Sequence, residues 1–394
     1  HKAGIKARVI DPKEAIAMEP SVNPSLIGAV VVPDGAIDPF RLTAANMTDA
    51  KLHGAKVLTY SEVLGIVKEG NIVKGVKIKN KRTGEVDTFY AQVTVNAGGI
   101  WGQGIAQMAG VSITMFPAKG SLLIFGHRVN NVVINRCRKP ANADILVPGE
   151  TISLIGTTSD RVGLEEVDKL RVTPEEVKVL LEEGQKLSPV LAQTRIIRAY
   201  CGVRPLVAAD NDPSGRNISR GIVLLDHETR DGIAGFITIT GGKLMTYRLM
   251  AEWVTDLVCK KLDIRRGCVT ARRPLPGSAP EERAASANED KCGSLICECE
   301  KVSLHKAENA IDNLQVTNMI DLRRRTRLGM GTCQGELCAC RGAGLIARKK
   351  ENPTRAKEDL KAFMNERWKG ICPICWGDSL RENEYTQWIY THEI

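Results

Sequence analysis

The chain has 394 residues, 43% of them hydrophobic, with a formal net charge of +9, which gives room for one large domain and a small one around a substantial core. No uninterrupted apolar run approaches the roughly 18 to 20 residues that cross a bilayer, and aromatic residues are too few and scattered for base stacking, which argues against nucleic acid. The positive charge is spread along the chain and suits an anionic substrate, an anionic membrane surface or an acidic partner.

The chain opens at His1 on a polar segment that reads like the middle of a domain, so a preceding segment is expected. Residues 56–91 read as a β-meander, because Val-rich runs at 62–68 and 72–79 are separated by turns at Glu69-Gly70-Asn71 and Arg82-Thr83-Gly84. A strand over 92–95 then meets the turn Ala97-Gly98-Gly99 and a short helix through Met108, the strand–turn–helix form of an α/β nucleotide-binding half. Residues 173–187 predict a helix with Thr173 as N-cap, Pro174 at its first position and Glu176 closing a capping box. Strands over 221–225 and 235–240 lead into an amphipathic helix from Lys243 to about Lys261, with Leu249, Trp253, Leu257 and Val258 at helical spacing. Residues 263–291 lack periodicity and read as a linker. Helices follow near 303–313, 318–327 and 335–349. A tail from Glu351 carries Trp368, Trp376 and Trp388 and is expected to dock on the larger domain or a partner subunit.

Twelve cysteines in a chain this long are too few for a disulfide scaffold, and their clustering suggests metal chemistry in a reducing compartment, the cytoplasm. Cys297-x-Cys299 and Cys333-x4-Cys338 bring four thiolates together, which suits an iron–sulfur cluster or zinc. Structural zinc favours C-x2-4-C pairs, so the C-x-C spacing fits a [2Fe–2S] cluster better; the plain alternative is ordinary thiols. Cys137, Cys201, Cys259 and Cys268 read as isolated, buried or inert. Cys372-Pro373-Ile374-Cys375 reads as spare thiols. Arg323, Arg324, Arg325 and Arg327 precede Cys333 and either favour the reduced cluster or form a solvated helix face.

Three cations are candidates for chemistry. Gly241-Gly242-Lys243 sits between a strand and a helix, where backbone N–H groups and the positive helix end favour an anionic or electron-rich ligand; a tight turn with a solvated lysine is the alternative. Arg204, in a mainly apolar stretch, is costly to bury without an anion and can bind phosphate bidentately. Lys119 has a weaker form of the same claim. Either side chain could equally be a structural ion pair or snorkel to the surface.

The stretches IGAV (27–30), DPFRLTAAN (38–46), VNAG (95–98), FPAKGSLL (116–123), IGTT (155–158), GVRPL (202–206), GGKLMTYR (241–248) and GTCQGELC (331–338) resemble the family of A-type subunits of anaerobic glycerol-3-phosphate dehydrogenases, over nearly the whole chain. These are flavoproteins of the D-amino-acid-oxidase-like (DAO-like) superfamily with a C-terminal domain like bacterioferritin-associated ferredoxin. The resemblance implies an α/β (α+β) fold. It divides as a DAO-like FAD-dependent oxidoreductase domain at 1–264 without its N-terminal βαβ portion, a linker at 265–292, a small helical BFD-like [2Fe–2S] domain at 293–350 and an aromatic-rich tail at 351–394.

The activity implied is oxidation of sn-glycerol 3-phosphate to dihydroxyacetone phosphate at FAD. Arg204, Lys243 and Lys119 would serve the substrate; Gly241, Gly242, Leu244 and Met245 would lie near the flavin ring, and Ala97 and Gly98 near its ADP half. Cys297, Cys299, Cys333 and Cys338 would hold the cluster. Electrons would continue to companion flavin and iron–sulfur membrane-anchoring subunits and on to menaquinone, with the protein cytoplasmic and peripheral on the inner face of the bacterial membrane. The family's G-x-G-x-x-G fingerprint is absent from the sequence, so weak FAD binding is expected without a preceding segment. Two other readings stay open: an electron-transfer or assembly module without catalysis, and a flavin oxidase of 2-hydroxy acids or amines.

Overall fold

The computed structural model of the protein describes residues 4–207, 221–278 and 293–393. A two-stranded ribbon, β1 (Arg8–Ile10) with β2 (Ala29–Val31), and two helices, α1 (Pro12–Met18) and α2 (Pro39–Leu52), come first. Asp38 caps α2, its carboxylate accepting from the Phe40 and Arg41 N–H groups. The expected meander follows as β3 (Ser61–Glu69), β4 (Ile72–Asn80) and β5 (Val86–Tyr90), paired antiparallel in that order.

The nucleotide-type layer is built from β6 (Thr94–Asn96) and α3 (Gly102–Met108). The strand lies later than the expected 92–95 because its register is set by a distant partner: Thr94, Val95 and Asn96 run parallel to Phe236, Ile237 and Thr238. A larger antiparallel sheet holds β7 (Met115–Phe125), β8 (Ile134–Asn135), β9 (Ile145–Pro148), β10 (Ser153–Gly156), β11 (Asp160–Arg161) and β12 (Ile196–Val207). Its spine is the long β7–β12 pairing, in which Val203 faces Lys119 and Arg204 faces Ala118. Helix α4 (Pro174–Leu187) covers one face of this sheet and has the expected Thr173 cap and Glu176 capping box. Its Val177, Leu180 and Leu187 join Leu123, Phe125 and Ile155 in one core.

Strands β13 (Ile222–Asp226) and β14 (Phe236–Gly241) flank a short helix, α5 (His227–Asp231), and complete the sheet with β6. Helix α6 (Tyr247–Lys261) begins later than expected. Gly241 and Gly242 take φ of 72° and 66°, and Leu244–Thr246 form a 3-10 turn in which Thr246 Oγ1 accepts from the Lys243 N–H at 2.9 Å. Met250, Val254, Leu257 and Val258 pack on the sheet, whereas Trp253 is 43% exposed; the sheet's own side chains fix which stripe of the helix turns inward.

The last third is a second core. It contains β15 (Leu295–Cys297), β16 (Val302–Ser303), α7 (Leu304–Asn313), α8 (Met319–Thr326), α9 (Ala339–Lys349), α10 (Pro353–Ile371) and α11 (Gly377–Trp388). Helix α9 starts at Ala339, not at 335, because Gln334 and Gly335 have positive φ of 50° and 91° and make a turn. The tail is part of this unit: Leu360, Phe363 and Met364 share one core with Ile296, Val302, Met319 and Leu345. It also reaches the larger domain, where Arg198 on β12 donates to the Glu366 carbonyl at 3.1 Å. Trp376 and Trp388 stay 69% and 49% exposed. Of the cysteines read as isolated, buried or inert, Cys137 and Cys268 are exposed and Cys201 and Cys259 half-buried. Of the expected linker at 265–292, residues 265–278 form no helix or strand and the remainder, 279–292, falls outside the described residues.

Candidate active site and metal centre

Parallel strands β6 and β14 end on the same side of their sheet, where ligands of open α/β sheets bind. Each ends in a glycine turn. Because β14 runs three residues past the level of Asn96, the strand ends at Asn96 and Gly241 are offset by about 10 Å along the strands, and one elongated ligand can lie across the turns that follow them. At the first turn a Cβ on Gly98 would come 2.7 Å from Ile105 Cδ1, so glycine lets α3 close against the strand. At the second, a Cβ on Gly241 would run into the Gly221 carbonyl oxygen and one on Gly242 into Met250 Sδ. Beyond the turn Leu244 and Met245 are 49% and 78% exposed and Lys243 is also exposed, an apolar ledge with a cation beside it that a flat ring can cover.

The support beneath the first turn is not foreseen from the sequence. Asn96 is buried; its Oδ1 accepts from the Gly98 N–H at 3.1 Å, and its Nδ2 donates to the Gly102 carbonyl at 2.9 Å and to Thr238 Oγ1 at 3.3 Å. The fully buried His227 bonds through Nε2 to Thr238 Oγ1 at 2.8 Å and through Nδ1 to Asp231 at 2.5 Å, and stacks on Phe236. The signal that could have found it is an asparagine at a strand end before a glycine turn.

On β12, Arg204 lies across Gly120 of β7. Its Nη2 donates to Thr157 Oγ1 at 2.5 Å and to the Thr158 carbonyl at 3.2 Å, and its Nη1 lies 3.5 Å from the Lys119 carbonyl and Ser159 Oγ. These four acceptors are neutral, so they orient the guanidinium. Lys119 is one register step away and therefore points to the opposite face of the sheet. There it is buried, 2.6 Å from Glu176 Oε2 and 2.5 Å from the Arg171 carbonyl. Glu176 also accepts from Ser121 Oγ at 2.6 Å and the Thr173 N–H at 2.9 Å. Burial works to raise its pKa, but Lys119, Ser121 and the Thr173 N–H outweigh it and hold the carboxyl below its ordinary value. The structure thus separates two cations expected together: Lys119 pins α4 to the sheet, and Arg204 lies on the other face.

The four expected thiols approach in pairs. Cys299 and Cys333 Sγ are 3.6 Å apart, close to the roughly 3.8 Å between two thiolates on a tetrahedral metal with bonds of about 2.3 Å. Cys297 and Cys338, both buried, share a hydrogen bond. That bond, with backbone N–H groups at Gly329 and Glu300, pulls Cys297 down to about 6 against the effect of burial, while the same bond and burial push Cys338 up. Among the described residues no three His, Cys, Asp or Glu side chains converge on one point. Two pairs therefore suit two metal ions with two thiolates each better than one ion with four. Gly331 is needed here, since a Cβ would strike Cys299 Cβ. Of the four arginines before Cys333, Arg324 is exposed and Arg325 donates to the Leu314 carbonyl. Arg327 bridges Glu300 at 2.6 Å and Asp38 at 2.9 Å, joining the two domains. Arg323 is buried.

Residues 1–248 match the family model described as FAD dependent oxidoreductase, and residues 295–348 match BFD-like [2Fe-2S] binding domain. The chain is similar to the A-type subunit of anaerobic glycerol-3-phosphate dehydrogenase of Escherichia coli K12, 59% identical over 99% of this chain and 77% of the relative. The corresponding Haemophilus influenzae protein is 56% identical over 99% and 74%. In fold it resembles a glycerol-3-phosphate dehydrogenase from Bacillus halodurans complexed with FAD, with TM-score 0.68 at 20% identity, covering 95% of this chain and 84% of that one. The glycine turns and exposed ledge fit a flavin dinucleotide, and the paired thiols fit a two-iron cluster. The chain belongs to the family of A-type subunits of anaerobic glycerol-3-phosphate dehydrogenase, FAD-dependent oxidoreductases that carry a BFD-like [2Fe–2S] binding domain.

Proposed function

We propose that Arg204 binds the phosphate of sn-glycerol 3-phosphate, that Lys243 stabilises the alkoxide developing at C2, and that electrons leave through the cluster held by Cys297, Cys299, Cys333 and Cys338. The observation that carries this reading is the guanidinium of Arg204, laid across Gly120 and oriented by Thr157, Thr158, Lys119 and Ser159. A guanidinium held in this way presents a fixed positive charge to phosphate.

Bound FAD supplies the two-electron acceptor for the C2 hydride. The residues that would hold it are Ala97 and Gly98 toward the ADP half and Gly241, Gly242, Leu244 and Met245 toward the ring. Asn96 keeps the first turn in shape for that contact. Lys243, exposed at the end of the second turn, brings a cation to the hydroxyl as its proton leaves. Lys119 stays with Glu176 and acts on the site only by keeping β7 in register under α4.

Downstream, the electrons pass to companion flavin and iron–sulfur subunits and then to menaquinone, with this chain cytoplasmic and peripheral on the inner face of the membrane. No helix among the described residues is long and apolar enough to cross a bilayer, so attachment through partner subunits is the economical arrangement.

With FAD-loaded enzyme and a dye acceptor, Arg204→Ala is expected to lose turnover on glycerol 3-phosphate by about two orders of magnitude, since a charge-assisted contact contributes roughly 2 to 4 kcal/mol. Arg204→Lys should recover only part. Activity that survives Arg204→Ala with fold and cofactors intact would make Arg204 structural. A wild type inactive on phosphorylated polyols would point to an electron-transfer module instead, and turnover of 2-hydroxy acids or amines to a different oxidase.

A further inference from the structure

Buried guanidinium groups are costly without an anion, and two of them flank the Cys333–Cys338 loop. Arg323, on α8, is buried; its Nη2 donates to Gln334 Oε1 at 3.3 Å, its Nε has no hydrogen-bond partner among the described residues, and its guanidinium lies 5.9 Å over the Phe363 ring. Gln334 is fixed in turn, since its Nε2 donates to the Met330 and Gly331 carbonyls at 3.0 and 2.9 Å and so leaves Oε1 facing Arg323. Glu366 faces Arg198 at 3.6 Å, and Gln334, which holds Arg323, is the residue next to Cys333.

Arg367, on α10, has a side chain only 3% exposed. Its Nη2 donates to Asn383 Oδ1 at 2.9 Å and sits 3.7 Å from Glu336 Oε2, while Nε and Nη1 have no hydrogen-bond partner among the described residues. Glu336 lies within the Cys333–Cys338 loop. Both arginines thus reach the loop from different helices with donor capacity left over.

We propose that Arg323 and Arg367 are the counter-charges of the cluster, two buried guanidinia that flank the Cys333–Cys338 loop and stabilise the extra negative charge of its reduced state. Four thiolates and two sulfides outweigh the charge of two ferric ions, and one-electron reduction adds to the excess. A fixed cation in a poorly solvated setting favours that added charge more than a surface cation can. The two arginines therefore raise the reduction potential and draw electrons from the flavin side to the cluster.

The inference rests on the four-cysteine ligand set proposed above, which the iron and sulfide content of the wild type tests separately. The measurement is a spectroscopic redox titration of the cluster in the intact chain. Arg323→Met should lower the reduction equilibrium constant at least tenfold, about 59 mV for a one-electron couple, whereas Arg323→Lys should stay within threefold, about 28 mV. Arg324→Met, on the same helix but facing solvent, should also stay within threefold. If Arg323→Met does not retain iron, Arg367→Met and Gln334→Glu decide: the first removes the second cation, the second sets a carboxylate against the first, and each should give the same fall. An unchanged midpoint in Arg323→Met, Arg367→Met or Gln334→Glu with its iron retained overturns the proposal.

Discussion

Arg204 reaches across its neighbouring strand over Gly120, and a Cβ at residue 120 would fall 2.9 Å from the guanidinium carbon. The glycine in the 116–120 stretch is thus explained by the arginine it makes room for, although the two are far apart in sequence. Gly120→Ala should behave as a milder Arg204 variant. Turnover on glycerol 3-phosphate is expected to drop about 10- to 100-fold, because a displacement near 1 Å costs on the order of a hundredfold, with flavin and iron content unchanged. Full activity would show that Arg204 need not lie where it does.

The Lys119–Glu176 pair makes a stability prediction. Lys119→Met leaves Glu176 buried and unpaired and should cost about 3 to 5 kcal/mol, whereas Lys119→Met with Glu176→Leu should recover much of it; thermal unfolding of the three proteins measures both. The carboxyl of Glu176 is held below its ordinary 4.5. A depressed pKa contributes stability that is complete above the unfolded value and is lost as pH falls through the folded one. Wild-type stability should therefore fall as the pH drops below about 4.5, and the double variant should show a shallower fall.

Asn96→Ala removes the acceptor that holds the Gly98 N–H and the donor to Gly102. Leaving such groups unpaired costs about 1 to 3 kcal/mol. Flavin should dissociate roughly tenfold more readily, as read by fluorescence of released FAD. His227→Ala should act in the same direction and more weakly, since it reaches the turn only through Thr238. Unchanged flavin affinity in Asn96→Ala would remove this network from cofactor binding.

Anaerobically prepared protein should carry about two irons and two sulfides per chain, and Cys333→Ser should abolish the colour. One zinc and no sulfide would replace the cluster with a structural metal. Cys372→Ser, in the turn before α11, should leave the iron content as it is.

Short-range chemistry is what can be read from the residues in order. The Thr173 cap, the meander turns, the C-x-C and C-x4-C pairs and the glycine turns are all legible, because caps, turns and ligand spacings act within a few residues of one another. Helix starts are displaced from their expected places where consecutive positive-φ residues, Gly241 with Gly242 and Gln334 with Gly335, delay the first helical turn. Which cation lies on which face is settled by packing. Strand alternation says that Lys119 and the partner of Arg204 lie on opposite faces, but not which face α4 covers. Likewise, four neighbouring arginines look alike in sequence, and the packing of α8 against α10 selects Arg323 as the one turned inward. The Asn96–Thr238 bond joins residues 142 positions apart. Burial and long-range register are properties of the whole assembled core, and no window of sequence contains them.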